Sequence, residues 1–311
     1  MQNKVAALAR KRPRGKHKRH WSPRRRREAA WALLFLGPSL VGFVIFTLFP
    51  VVASLALSAT QWDLIGRPVF VALENYGRAL RDPLFGKVML NTAYFSAGVV
   101  PLTIAVSLAL ALALNRQIRG RVFFRTLYFM PVVSSTVAVT MIWRWMYAPF
   151  GVINALLTGL GLPPVGWLTT PAWAMPAVIG MSVWQSMGHS IVIYLAGLQG
   201  IPRHLYDAAA VDGATGWRQF WHITLPLLSP TTFFVLVMAV IRSFQAFGQV
   251  YMLTGGGPAY ATSTIVFYIY ENAFLSLHMG YASALAWVLF GLIFLLTLVQ
   301  VRYQRKWVTY D

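Results

Sequence analysis

Apolar and polar positions alternate along this chain on the scale of a bilayer rather than of a helix face. Long apolar runs fall at about residues 31–57, 88–114, 122–147, 172–198, 225–253 and 281–301, separated by polar stretches. A hydrocarbon core about 30 Å thick needs about 20 apolar residues in a helix that rises about 1.5 Å per residue. Each run meets that length. The pattern therefore predicts an all-α integral membrane protein with six transmembrane helices in one domain, residues 30–303. Residues 1–29 form a tail before it and residues 304–311 a tail after it. Pro38, Pro50, Pro101, Pro131 and Pro176 fall inside or near the runs. They would break a soluble helix, but in a membrane neighbouring groups satisfy the freed carbonyls.

One polar interruption stands apart. Residues 201–226 read IPRHLYDAAAVDGATGWRQFWHITLP, a helix-prone island between two apolar runs. Ala208, Ala209 and Ala210 are small and favour helix at the lowest cost, so a partner's backbone can approach them. Tyr206 and Val211 are candidate apolar anchors. Gly213, after Asp212, permits a left-handed turn that would split the island into two short helices. Pro226 suits the first turn of the fifth run, where a missing N–H costs nothing. The other reading of the island is an amphipathic helix lying on the membrane interface. Such a helix has no need of the spacing from Gly213 to Ile223–Pro226.

Composition agrees with the bilayer. The chain of 311 residues is 57% hydrophobic and 11% charged, against about 25% charged in soluble domains. It has no cysteine, which excludes disulfides and thiolate metal sites. The net charge of +19 is concentrated: twelve of the 27 Lys and Arg precede Glu28, ending in Arg24-Arg25-Arg26-Arg27. A basic run flush against an apolar span is a topogenic signal rather than a nucleic-acid site. Contact with anionic membrane lipid is its expected second role. The first run is too long for a cleaved signal peptide and is not closed by a small-residue cleavage site.

With the N-terminus inside, the inner side carries 21 Lys and Arg and the outer side four, Arg67, Arg78, Arg81 and Lys87. Arg144 and Arg242 lie within runs. The split satisfies the positive-inside rule, so both termini and the 201–226 loop are expected to be cytoplasmic.

The sequence has no GxxxxGK[ST] phosphate loop and no HExxH. Its acidic residues are Glu28, Asp63, Glu74, Asp82, Asp207, Asp212, Glu271 and Asp311, none inside an apolar run. Cation-coupled carriers often use an intramembrane carboxylate, and membrane enzymes need an acid, base or metal ligand in a cleft. The chain is therefore not expected to be an enzyme or to bind a metal or cofactor itself.

Asp207-Ala208-Ala209, then Gly213, then Ile223-x-Leu225-Pro226 resembles the EAA loop of permease subunits in ATP-binding-cassette importers. Asp207 stands where the pattern has Glu, one methylene shorter. The resemblance implies that Tyr206, Asp207, Ala208, Ala209, Asp212, Gly213, Ile223, Leu225 and Pro226 form an ATPase-coupling loop seated in a cleft of an ATPase subunit. It also implies the type I ABC importer permease fold. The expected partners are a second permease subunit, two ATP-binding subunits that hold ATP and Mg, and an extracytoplasmic solute-binding protein. The site of action would be a bacterial or archaeal cytoplasmic (inner) membrane.

Residues Tyr251–Pro258 (YMLTGGGP), Ala261–Thr264, Tyr270, Ala273 and Phe274, with Trp143, Gly151, Asn154 and Leu157, are similar to carbohydrate permeases of the maltose and glycerol-3-phosphate type. Together the resemblance covers about residues 31–303. It implies import of a sugar, oligosaccharide or polyol.

A sugar path needs hydrogen-bonding groups and flat aromatic faces. The fifth run offers Arg242, Gln245, Gln249 and Tyr251, spaced for one helical face, with Phe244 and Phe247 beside it. The fourth run adds Trp184 and Gln185. These polar residues equally serve to fasten helices together. Arg242 has no intramembrane carboxylate to pair with, so water, a partner subunit or an anionic substrate such as a phosphorylated polyol are open for it. Snorkelling explains Arg144, and an aromatic belt explains members of the set Trp143, Trp145, Trp167 and Trp173. A stand-alone secondary carrier is the alternative class. Such folds often carry inverted repeats, none is evident here, and the 201–226 loop would go unexplained. A scaffold anchored by the basic tail fits poorly with six full runs.

Overall fold

A computed structural model describes residues 23–116 and 120–308. The basic tail up to residue 22, Arg119 and residues 309–311 lie outside the described residues. The chain divides into two compact units, Met1–Ala53 and Ser54–Asp311.

The first unit holds α1 (Pro23–Phe43), a π-helical turn at Val44–Leu48 and the start of α2 (Phe49–Ser58). Arg24 Nε donates to Glu28 Oε1 at 3.1 Å on an exposed face, a pair worth little to stability. The π turn precedes Pro50, and Phe49 N–H donates five residues back to the Val44 carbonyl. A proline ring presses on the carbonyl four residues behind it and removes one helix bond. Widening the preceding turn makes room for it. The same device recurs at Phe220–Thr224, where Leu225 N–H reaches the Phe220 carbonyl just before Pro226.

The second unit begins with a short antiparallel ribbon, β1 (Thr60–Gln61) and β2 (Val69–Phe70), with Thr60 opposite Phe70. This is a small addition to the all-α expectation. The helices follow: α3 (Glu74–Arg81), α4 (Pro83–Asn115), α5 (Arg121–Val133), α6 (Thr136–Met146), α7 (Val152–Gly159) and α8 (Pro171–Gly200). Then come α9 (Arg203–Val211), α10 (Gly216–Gln219), α11 (Leu225–Leu227), α12 (Ser229–Phe244), α13 (Gly248–Leu253), α14 (Ile265–Tyr270) and α15 (Met279–Gln304).

Among the described residues four helical stretches are long and apolar enough to cross a membrane: Ala30–Ser58, Pro83–Asn115, Pro171–Gly200 and Met279–Gln304. Two further expected spans are not single helices. Residues 122–147 split at Ser134–Ser135 into Val122–Val133 and Thr136–Met146, bent by 103°. Pro131 lies just before the break, and the Ser134 hydroxyl donates to the Met130 carbonyl at 2.9 Å, competing with the helix. The fifth run is interrupted twice: a 63° bend separates Gly216–Leu227 from Ser229–Phe244, and the helix stops again before Gly248. The count reaches six if each bent pair is one span.

The core forms where α8 packs on α4. Phe95 and Val99 meet Val178, Ile179 and Met181 in one cluster, and Ala111 and Leu114 meet Ile191, Tyr194, Leu195 and Leu198 in a second. Small hydroxyls tie the helices: Ser96 Oγ to Ser243 Oγ at 2.7 Å, and Ser107 Oγ donating to the Met187 carbonyl at 3.2 Å. Short polar side chains of this kind let backbones approach in an apolar solvent.

Candidate functional site

The 201–226 island folds as two short helices around Gly213, as its sequence indicates. Helix α9 ends in a Schellman arrangement: Ala214 N–H donates to the Ala209 carbonyl at 2.8 Å and Gly213 N–H to Ala210 at 3.1 Å. Gly213 has φ +74°, the left-handed conformation this cap requires. Helix α10 follows, and Gln219 Nε2 closes the turn by donating to the Ala214 carbonyl at 3.2 Å.

The two faces of this loop differ. Asp207, Ala208, Ala210 and Asp212 are exposed, Ala209 is half-buried, and Val211 is 88% exposed. Tyr206 points the other way. Its hydroxyl shares a 2.9 Å hydrogen bond with Thr224 Oγ1, and its ring packs with Ile223 on the cluster of Leu198, Ile201 and Leu228. The expectation of Tyr206 as an outward anchor is corrected: it is an internal strut, and Val211 alone of the two faces out. The expectation for Pro226 is also corrected. Helix has already begun at Gly216, so Pro226 sits behind the π turn instead of opening the span. Leu225 and Pro226 are half-buried.

A cavity of about 290 Å3 opens between α4, α8 and α12. It gathers Gln185, Arg242 and Gln249 from the expected set, with Thr136, Ser182 and Ser186. Arg242 Nη2 donates to His189 Nε2 at 3.3 Å, which requires that ring nitrogen to carry no proton. Gln185 Nε2 donates to Thr136 Oγ1 at 3.2 Å, while Gln185 Oε1 is buried without a partner. Gln185 therefore ties helices and faces the cavity at once.

The expected single helical face from Arg242 to Tyr251 does not form, because α12 ends at Phe244 and α13 begins at Gly248. Arg242 and Gln249 still line the same cavity from either side of that break. Gln245 is exposed and does not line the cavity. Trp184 lies edge-on to Trp143 at 5.7 Å, and Tyr251 stacks on Phe247 at 5.3 Å. Neither Trp184 nor Tyr251 lines the cavity.

The cavity's other polar groups were legible. Ser182, Gln185, Ser186, His189 and Ser190 recur at steps of three and one along α8, a polar stripe on one helix face. His189 has no metal-ligand spacing to single it out, and only its place in this stripe marks it.

Residues 254–264 are fastened to α4. Lys87 Nζ donates to the Ala259 carbonyl at 2.6 Å, Asn91 Nδ2 to Tyr260 at 2.7 Å, and Ile265 N–H to Thr92 Oγ1 at 2.9 Å. Thr262, Ser263 and Thr264 are fully buried. Asn154 organises the loop before α8, donating to the Val165 carbonyl and accepting from Val165 N–H and Trp167 Nε1 at 3.0–3.1 Å. Trp143 and Trp167 pack on the core. Trp145, at 63% exposure, keeps the character of a belt residue.

Several apolar helices of membrane length, a projecting cap-locked loop and a polar cavity between helices define a membrane transport component. Residues 102–309 match the family described as binding-protein-dependent transport system inner membrane component, and the chain belongs to that family. It is 38% identical over 283 residues to a probable ABC transporter permease protein, YesP, of Bacillus subtilis (strain 168), covering 89% of this chain and 91% of that one. It is 36% identical over 281 residues to the sn-glycerol-3-phosphate transport system permease protein UgpA of Brucella suis biovar 1 (strain 1330), covering 89% and 95%. Its fold is similar to a chain in the crystal structure of a bacterial alginate ABC transporter in complex with alginate pentasaccharide-bound periplasmic protein. The TM-score there is 0.80 at 25% identity, covering 93% of this chain and 98% of that one.

Proposed function

We propose that this chain is the six-span permease subunit of an ATP-driven importer, in which each bent helix pair counts as one span and both termini face the cytoplasm. The observation that carries the reading is the two-faced loop: an exposed face of small residues with Asp207 and Val211, and a buried face struck into the core through Tyr206 and Thr224. The exposed face seats in a cytoplasmic ATPase subunit. Two such subunits bind ATP and Mg, a second permease subunit completes the path, and an extracytoplasmic binding protein delivers the substrate. The complex lies in the cytoplasmic (inner) membrane of a bacterium or archaeon.

Motion of α9 reaches the cavity by contact. Tyr206 bonds to Thr224 in the π turn that leads through α11 to α12, and its ring packs on the cluster that holds Leu198 of α8 and Leu228. Helices α8 and α12 carry His189 and Arg242, so a shift at the loop changes the spacing of the groups that line the cavity. The chain itself carries out no covalent chemistry.

A sugar, oligosaccharide or polyol suits a cavity of hydroxyls and amides, and similarity to an sn-glycerol-3-phosphate permease and to an alginate transporter chain supports that broad class. An anionic polyol is a second reading. It is favoured by Arg242, whose contact in the cavity is a neutral His189 nitrogen, not a carboxylate. The test is affinity purification of the tagged chain with an ATPase assay, for the natural sequence and for an Asp207→Lys, Val211→Asp variant. An ATPase is expected to copurify with the first and not the second. Purification of the natural chain alone would overturn the proposal.

A further inference from the structure

A second cavity, of about 730 Å3, runs between α5 and α8. Its walls are apolar, with Met130 and Val133 on one side and Val192 and Leu195 on the other. Arg125, Gln199, Ser134 and Gly188 also line it. Helix α8 approaches α5 closely at Gly188, where a Cβ would collide with the Tyr128 carbonyl and with Val132 Cγ2.

Two features select an occupant. The first is length. Arg125 to Ser134 spans nine helical residues, roughly 14 Å, close to half of a hydrocarbon core about 30 Å thick. On the six-span reading above, on which this inference rests, Arg125 lies at the inner boundary and Ser134 near the midplane. The groove therefore spans one leaflet. The second feature is charge. Arg125 Nε is buried and has no hydrogen-bond partner, and no Asp or Glu lines the groove. A buried guanidinium N–H needs an oxygen acceptor. Arg116 is exposed a short way along the chain and adds positive charge on the same side.

We infer that the groove holds one acyl chain of an inner-leaflet anionic phospholipid, with its phosphate on Arg125. Basic pockets between membrane helices on the cytoplasmic side suit such headgroups. The chain would lie along Met130, Val133, Val192 and Leu195, filling apolar volume between α5 and α8.

The test uses the assembled complex in phosphatidylcholine nanodiscs. These are doped with phosphatidylglycerol carrying a photoreactive acyl chain, or with phosphatidylcholine carrying the same chain. Peptides from α5 and α8 are expected to be labelled about tenfold more by the glycerol headgroup, the order set by one hydrogen bond to a charged group. Arg125→Gln should abolish that preference while leaving labelling by the choline probe. Val192→Trp should reduce labelling by both probes with the complex intact. Equal labelling by the two probes would show ordinary bilayer contact and overturn the site. Labelling of the lone chain but not the complex would show that the second permease subunit covers the groove, and would also overturn it. Partner copurification is scored on the same sample. A chain without partners that keeps the headgroup preference supports the lipid site and counts only against the importer reading.

Discussion

The Tyr268 hydroxyl donates to Asp82 Oδ2 at 2.6 Å across 186 residues of sequence. Asp82 also accepts from Tyr281 at 3.0 Å and caps α4 by accepting from Leu84 N–H at 2.9 Å. One carboxylate thus joins the start of α4 to α14 and α15.

That junction predicts a pH dependence. Burial pushes the Asp82 pKa up, but hydrogen bonds from Tyr268, Leu84 and Tyr281 outweigh it and hold the group below the usual carboxylate range. A group with a depressed folded pKa contributes stability above its unfolded value, and loses it as pH falls through the folded value. Thermal stability of the purified protein should therefore decline as pH drops below about 4. Asp82→Asn should flatten that decline. An unchanged profile in the variant would remove Asp82 from the account.

Gly213 separates the loop's shape from its composition. A branched residue at φ +74° costs about 1–2 kcal/mol, whereas Asn adopts this conformation readily. Gly213→Val should lose most substrate uptake while the melting temperature of the core stays close to that of the natural protein. Gly213→Asn should keep uptake. Equal loss in both variants would mean that the backbone turn is not what matters.

Tyr206 and Val211 should fail differently. Tyr206→Phe removes the bond to Thr224, worth about 1 kcal/mol, and leaves the exposed face intact. The ATPase subunits should still copurify, with uptake reduced per ATP hydrolysed. Val211→Asp should instead reduce copurification itself, because Val211 is exposed and apolar. Identical defects in the two variants would contradict the two-faced loop.

Arg242 tests the character of the substrate. If the transported molecule carries an anion, Arg242→Gln should raise its KM for uptake by about tenfold or more, the scale of one charge-assisted hydrogen bond. A neutral sugar should be affected far less. His189→Phe removes the nitrogen that Arg242 donates to at 3.3 Å and should shift the same KM without disrupting assembly. An unchanged KM in both variants would place the substrate elsewhere.

The apolar runs, the basic bias toward one side and the loop's spacing from Asp207 to Pro226 were all legible in the sequence. Each is written in consecutive residues, where helix rise, bilayer thickness and local backbone preference act directly. The Gly213 turn is of this kind, since its cap uses only residues 208–214. The direction of Tyr206 is not, because Thr224 and the Leu198–Leu228 cluster decide it from outside the helix.

What only the tertiary structure decided are the bends and the cavity. The 103° turn at Ser134–Ser135 and the stop at Phe244 interrupt stretches that the apolar pattern reads as single spans. Hydropathy measures transfer into lipid and does not register the path of the backbone within it. The cavity joins Arg242 to His189 across 53 residues and to Gln185, and it leaves out Gln245, which shares the same apparent stripe. Spacing along one helix tells which side chains share a face. Which face meets which depends on the packing of α8 against α4 and α12, and that contact is made by residues far apart in the chain.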